Sequence, residues 1–363
     1  MRYLIPIITL IPALATASPI GKAKISSNLP AKDGHALELI TDGKLDTYYQ
    51  TKGKTKPGDW IQLSFPEALP TGKNLRVHTG ISGSEDFFNG AVLEASSDGN
   101  SWKKIAVERA ALIDSKIPAN TTHLRLLATE ANGHHIAVRE IEFTDAASPV
   151  LIQKGTATLE GKTFQLSLAT NLEGNEDLKP RFDEMAALYF DLWPQLVSIL
   201  GSPLDDTYVD VDIHYRASMK YPAYADKSYI VISADHLRKN KADTIGVFVH
   251  ELTHVIQHYP NYKPHWFIEG VADYTRYKLN PVEDNWKKRH RANIDLNKPL
   301  GAYWSSAAFL LYLEETYKKE IVKPVSIEVR NGTYTDDIWK KITGKELKQL
   351  TEEYKNSGWK IQS

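Results

Sequence analysis

Two histidines four residues apart, His250 and His254, with an acid between them at Glu251, are the residues of this sequence best suited to chemistry. On an α-helix such positions lie on nearly one side, offset by about 40° and ~6 Å along the axis. Both rings can then hold one divalent ion, while Glu251, one step round, reaches a water on that ion without ligating it. A third ligand must come from elsewhere. Glu269, in Trp266-Phe267-Ile268-Glu269-Gly270-Val271-Ala272-Asp273-Tyr274, is the favoured carboxylate. The chemistry expected is zinc-dependent peptide hydrolysis, with Glu251 accepting the proton of an activated water and passing it to the leaving amine.

The chain contains no cysteine. Thiolate ligands, disulfides, a thiol nucleophile and a lipoprotein anchor are therefore excluded together, and a zinc site must be built from histidine and carboxylate. Rival third ligands are few. A pattern with Gly at 257 and His at 260 is not met, since Gln257 and Pro260 stand there. His258 lies eight residues beyond His250, ~12 Å along a helix, too far for an ion with bonds of about 2.0–2.1 Å. His265, after Pro264, remains open as a ligand or as a plain loop residue. Asp273, four residues after Glu269, suits the outer N–H of a ligating histidine, whose tautomer it would fix; it is also the alternative ligand to Glu269. The tetrahedral oxyanion needs a further donor, for which Tyr303 is the candidate; its plainer role is a core tyrosine at a helix start.

The elements that must position these residues follow from periodicity. Apolar residues at helical spacing over 244–249 lead into His250, so the motif helix is half buried. Pro260, Asn261 and Pro264 break it and reverse the chain, and small Gly270 and Ala272 allow a second helix to approach closely. Upstream, 180–199 reads as an amphipathic helix stopped by Gly201-Ser202-Pro203. Strands are expected at 156–159 and 163–168 around Glu160-Gly161-Lys162, at 209–215 and at 229–233, the last followed by a helix around His236. Residues 229–233 read either as a sheet edge that pairs with substrate backbone or as a buried strand. Helices are expected at 309–317 and 346–354, with a turn at Asn331-Gly332. Strands mixed with helices over 150–357 mark an α+β domain.

Residues 20–145 differ in kind. Short alternating runs at 60–65, 75–79, 91–96, 124–127 and 138–143 are separated by turn residues such as Asp98-Gly99-Asn100 and Asn132-Gly133, which argues for an all-β sandwich. Phe87 and Phe88 in the loop between two of these runs suit either a sugar face or the core. Ala146-Ala147-Ser148-Pro149 reads as a linker. Arg2, the apolar run 4–14 and Ala15-Thr16-Ala17 form an export-signal pattern over 1–17, too short to span a membrane. The expected location is secreted or periplasmic. A hydrophobic fraction of 42% supports a sizeable core, and a formal charge of −1 argues against nucleic-acid or polybasic membrane binding.

Two resemblances add to this. Leu39-Ile40-Thr41-Asp42-Gly43-Lys44-Leu45-Asp46-Thr47-Tyr48-Tyr49, Ser96-Ser97-Asp98-Gly99-Asn100-Ser101-Trp102 and Val138-Arg139-Glu140-Ile141-Glu142 resemble, in order, the opening, middle turn and last strand of discoidin-type, galactose-binding-like domains. That resemblance implies an eight-stranded jelly roll, carbohydrate as a partner, and a structural calcium held by Asp42, Asp46 and Glu140. The plainer reading of those acids is turn capping. Val249-His250-Glu251-Leu252-Thr253-His254-Val255-Ile256-Gln257, Ile268-Glu269-Gly270-Val271-Ala272-Asp273-Tyr274-Thr275-Arg276, the 303–312 block, Ile342-Thr343-Gly344-Lys345 and Glu353-Tyr354-Lys355 resemble the basic secretory protein family, zinc peptidases of plants and bacteria. The E-G-x-A-D-Y block and the later tyrosine are also similar to gluzincin aminopeptidases. These resemblances imply a zincin-like fold, Glu269 as the zinc ligand and Tyr303 as the transition-state donor. His265-Trp266-Phe267 departs from the small residues usual in plant members, and the N-terminal sandwich is not part of the plant pattern.

The expected protein is thus a multidomain chain, a jelly-roll sandwich before an α+β zincin-like metallopeptidase, acting on protein or glycoprotein. The rival class is a non-catalytic carbohydrate- or glycoprotein-binding protein on a degenerate peptidase scaffold. The intact set His250, Glu251, His254 and Glu269 counts against it.

Overall fold

Alternation of inward apolar and outward polar side chains builds the first unit of the computed structural model, which describes residues 19–81 and 84–361. The export signal expected at 1–17 lies outside the described residues. The chain divides into two units between Ala147 and Ser148. In the first, β1 (Lys24–Ser27), β2 (Tyr49–Gln50), β3 (Trp60–Ser64), β4 (Asn74–Thr79), β5 (Ala91–Ser96), β6 (Lys103–Val107), β7 (Leu112–Lys116), β8 (His123–Ala128) and β9 (Ala137–Phe143) form two sheets. Their orders are β1-β3-β8-β5-β6 and β2-β9-β4-β7, antiparallel throughout. Nine strands appear among the described residues where the resemblance implies eight; β2 spans only two residues. The inward faces, including Ile61, Leu63, Leu75, Val77, Leu93, Leu126 and Ile141, make one core.

Two expectations change in this unit. Phe87 and Phe88 are 2% and 0% exposed, so they are core side chains and offer no face to a sugar. Glu140 is buried, with Oε2 accepting the N–H groups of Gly43 (2.8 Å) and Lys44 (3.1 Å) and Oε1 that of Ile141 (3.1 Å). Asp42 Oδ1 accepts from Lys44 N–H at 3.0 Å and from the Thr47 hydroxyl. These contacts are turn capping. Asp42, Asp46 and Glu140 are not among the groups of converging ligand atoms in the described residues.

The second unit begins with a long hairpin, β10 (Val150–Leu159) and β11 (Lys162–Asn171), closed by Glu160 and Gly161 with φ of 51° and 78°. Positive φ at both turn residues is the type I′ geometry that matches strand twist. It continues through α1 (Lys179–Leu200), β12 (Asp210–Arg216), β13 (Ala223–Asp226), β14 (Tyr229–Ser233), α2 (Ala234–Lys239), α3 (Thr244–Gln257), α4 (His265–Leu279), α5 (Asn285–Ala292), α6 (Tyr303–Tyr317), α7 (Val322–Arg330), α8 (Asp337–Thr343) and α9 (Leu347–Asn356). The sheet order is β10-β11-β12-β14-β13, with β11, β12 and β14 parallel and both outer pairs antiparallel.

The substrate-edge reading of 229–233 is corrected here. β14 is buried at every residue and paired on both sides, and β13 is the edge strand. A continuous apolar run such as Tyr229-Ile230-Val231-Ile232 marks an interior strand. α3 packs on α1 and α4, and α4 packs closely on α6. The closeness has a residue-level cause: a Cβ on Gly270 would stand 2.6 Å from Ser306 Cβ, so only glycine fits between these helices. No helix among the described residues is long and apolar enough to cross a membrane.

Candidate metal centre

Two helices bring three ligand-type side chains to one point. α3 carries His250 and His254 on one side, and α4, reversed by the 258–264 connection, lays Glu269 against them. The edges of the resulting triangle are 3.3 Å between the two Nε2 atoms, 3.4 Å from His250 Nε2 to Glu269 Oε2, and 3.6 Å from His254 Nε2 to the same oxygen.

The protons on these rings are set by their other nitrogens. His250 Nδ1 lies 2.8 Å from Asp273 Oδ1, a carboxylate oxygen that can only accept, so Nδ1 carries the hydrogen. His254 Nδ1 lies 2.8 Å from Gln257 Oε1, while Gln257 Nε2 donates to the Ile268 carbonyl at 3.0 Å. The amide is thereby oriented with its oxygen toward His254, whose Nδ1–H donates to it. In the neutral rings both Nε2 lone pairs face the Glu269 carboxylate, whose Oε2 is buried with no hydrogen-bond partner. With both rings neutral, three electron-rich atoms converge on one point, an arrangement that attracts a cation. Four ligands placed tetrahedrally at about 2.0–2.1 Å from an ion stand roughly 3.4 Å apart, close to the edges found. The residues fit a small divalent ion with nitrogen and oxygen donors.

Electrostatics agree. Burial resists charging His250, yet its hydrogen bond to the Asp273 carboxylate and the adjacent Glu269 carboxylate prevail and push its pKa up to about 10. Burial would raise Glu269, but the two rings hold it down at about 2. Glu251, buried on α3 beside the rings, is raised chiefly by desolvation. The centre thus favours positive charge at the rings, while burial disfavours the negative charge of Glu251.

Tyr303 opens α6 and is 52% exposed, so it is not a core side chain. Its ring lies nearly parallel to that of His250 at a centroid distance of 6.2 Å. Ala302 and Tyr303 have successive positive φ values of 64° and 49°, and the Ala302 N–H donates to Ser306 Oγ at 3.0 Å. This left-handed entry into the helix turns the tyrosine toward the centre rather than into the core, at about 1–3 kcal/mol per strained residue.

The remaining residues fall as follows. Asp273 bonds His250 and is outside the converging trio. His258 ends α3 in a left-handed conformation, and its Nδ1–H donates to the Asp206 carbonyl. His265 is the first residue of α4, with ring centroids 5.2 Å from Tyr262 and 6.1 Å from Tyr303, and does not join the trio.

A cavity of about 740 Å³ opens over the centre. Its walls are β13 with the preceding Tyr221, the loop bearing Tyr262, and α5 with Trp286, Arg289 and His290. Sequence reasoning missed these walls and Gln257. A signal existed for the latter: three residues beyond His254, it shares that face of the helix. Asp284, whose side chain caps α5 by accepting the Lys287 N–H, was a legible start signal for that basic helix. Arg276 holds α5 in place, ion-paired with Asp243 and 4.0 Å above the Trp286 ring.

Residues 210–354 match the family model BSP, described as a peptidase of plants and bacteria. No curated protein matches the chain. Solved structures similar to the N-terminal region include CpGH89CBM32-5 from Clostridium perfringens, solved with GalNAc-β-1,3-galactose. It is 22% identical, covering 35% of this chain and 97% of that one, with a TM-score of 0.29. The C-terminal domain of a chitobiase from Bacteroides fragilis is 18% identical, covering 35% and 95%, with a TM-score of 0.31. The CBM32-1 and CBM32-2 domains of Clostridium perfringens ZmpB, solved with GalNAc, are 18% identical, covering 34% and 33%, with a TM-score of 0.30. His250, Glu251, His254, Glu269 and Tyr303 all lie within the span that matches the peptidase-of-plants-and-bacteria model.

Proposed function

We propose that the second unit is a zinc-dependent peptidase with His250, His254 and Glu269 as metal ligands and Glu251 as the general base. The observation that carries this reading is the meeting of two Nε2 atoms with a buried carboxylate oxygen that has no hydrogen-bond partner. Two nitrogens and one oxygen, without thiolate, are the donor set of a catalytic zinc site that keeps one position open. A bound zinc ion supplies Lewis acidity, which lowers the pKa of a water and polarises a carbonyl. Glu251 takes the proton of the attacking water and hands it to the leaving amine; burial raises its pKa above the usual carboxylate value. The Tyr303 hydroxyl donates to the oxyanion that develops on the substrate carbonyl. Asp273 keeps the His250 ring in the tautomer that ligates. β13, the last strand of the sheet and part of the cavity wall, is the element along which an extended substrate backbone would lie.

The N-terminal unit we read as a carbohydrate-binding-like module, on its discoidin-type motifs and sandwich, with glycoproteins as the substrate class suggested by the pairing of domains. The export pattern at 1–17 supports action outside the cytoplasm. The test is metal analysis together with a casein and a glycoprotein digest, comparing wild type with Glu251→Ala. Expected are one zinc per chain in both proteins and cleavage by wild type alone. Wild type that holds zinc yet cleaves nothing the variant spares would return the chain to the non-catalytic binding class.

A further inference from the structure

The Gln257 side chain joins the two helices that carry the trio, bonding His254 on one and the residue before Glu269 on the other. Its side-chain oxygen accepts the His254 Nδ1–H at 2.8 Å, and its side-chain nitrogen donates to the carbonyl of Ile268, immediately before Glu269, at 3.0 Å. Its own carbonyl accepts Arg330 Nε at 3.1 Å, and that guanidinium also binds the end of α1 through the Gly201 carbonyl at 3.1 Å. Gln257 is 2% exposed and is the last residue of α3.

We infer that Gln257 is a positioning residue that sets the His254 ring and the Glu269 carboxylate together, so that one amide holds two of the three proposed ligands in register. The inference rests on the proposed metal site. Its physical basis is the asymmetry of the amide. Ile268 O can only accept, so the NH₂ end must face α4 and the oxygen must face His254. Every rotation of the side chain that frees His254 also breaks the tie to α4. The two histidines are thereby treated differently: a carboxylate holds His250, and a neutral amide holds His254. A neutral partner fixes the tautomer without adding a second negative charge next to the ligands.

The test uses the full chain and zinc itself as probe, competed against a chromophoric chelator. Gln257→Met keeps the length and packing of the side chain but can neither accept from His254 nor donate to Ile268 O. Its zinc affinity is expected to fall about 10- to 100-fold, while the metal-free protein keeps its circular dichroism. Gln257→Glu restores an acceptor for His254 alone, so it should bind zinc more tightly than the Met variant. Ring ¹H–¹⁵N spectra of the zinc-loaded proteins should show His254 protonated on Nδ1 in wild type and in the Glu variant. Equal zinc affinity for wild type and Gln257→Met, or a Glu variant no better than Met, overturns the inference and leaves the zinc reading standing. Failure of wild type to bind zinc overturns both. If the Met variant does not fold, Gln257→Glu against wild type decides by the His254 spectrum: loss of the Nδ1–H overturns the role.

Discussion

Replacing Gly270 by alanine sets two effects of opposite sign against each other. Inside a helix, Gly→Ala gains about 1 kcal/mol of intrinsic propensity. The added Cβ, however, would stand 2.6 Å from Ser306 Cβ and 3.3 Å from the Ser306 carbonyl carbon. Carbon atoms settle at about 3.5–4.0 Å, so α4 and α6 must part by roughly 1 Å. The atoms met belong to a helix backbone and its first side-chain carbon, which cannot swing aside. Overpacking of this kind costs about 1–3 kcal/mol, and the expected balance is a net loss of up to about 2 kcal/mol. In a unit of about 200 residues that lowers Tm by up to roughly 8 °C. Glu269 is the adjacent residue, and metal–ligand distances tolerate only about ±0.2 Å, so zinc affinity should fall along with stability. Calorimetry of chelator-treated protein and a zinc competition titration read the two effects separately. A Ser306→Gly partner variant, which returns the missing space, should show favourable coupling in a double-mutant cycle. A Tm that rises in Gly270→Ala, or a cycle without coupling, refutes the close-approach argument.

Other consequences can be measured on the same protein. Tyr303→Phe keeps the ring beside His250 and leaves zinc bound, but kcat for a peptide substrate should drop about 10²–10³-fold with KM little changed; unaltered kcat removes Tyr303 from the chemistry. Zinc present at 1,000 times its Kd should stabilise the second unit by about 4 kcal/mol, which calorimetry with and without chelator reads as a higher Tm. In the first unit, burial pushes Glu140 up to about 7 against three backbone N–H bonds. Its folded pKa then lies above the unfolded value of about 4.3, so the folded state binds the extra proton, and stability is full below that value and lost as pH rises through 7. The Tm of wild type minus that of Glu140→Gln, in chelator, should therefore fall between pH 4.5 and 7. A difference that grows with pH would mean that the amides outweigh burial.

Local pattern and tertiary placement divide what the amino-acid sequence made legible. β5 at Ala91–Ser96 and β14 at Tyr229–Ser233 coincide with the expected runs, because each is a short apolar or alternating segment bounded by turn residues. β6 begins Lys103-Lys104 and carries too little apolar residue to declare itself, so only its pairing with β5 makes it a strand. α5, Asn285-Trp286-Lys287-Lys288-Arg289-His290-Arg291-Ala292, lacks an apolar stripe and is held by its Asp284 cap and by Arg276 beneath Trp286. The spacing of His250 and His254 is a local property and was readable. Which acid approaches their Nε2 atoms depends on how α4 packs, and Gly270 governs that packing through a contact with Ser306, thirty-six positions away. Between the edge and the buried reading of 229–233 the sequence could not choose for the same reason: whether a strand ends a sheet is decided by its neighbour, here the four-residue β13.

β13 carries a consequence for how targets would be chosen. A sheet edge accepts only backbone whose hydrogen bonds are not already spent, so a native helix or interior strand cannot enter the cavity as it stands. On the proposed reading, the cleavage rate for a folded target is set by how often a segment of it opens locally, an equilibrium that belongs to the target. Two targets with the same sequence around the scissile bond would then be cut at rates differing by the ratio of their opening constants. Such an enzyme discriminates among its victims by their stability, and its apparent specificity would shift with temperature even while its own structure stays the same.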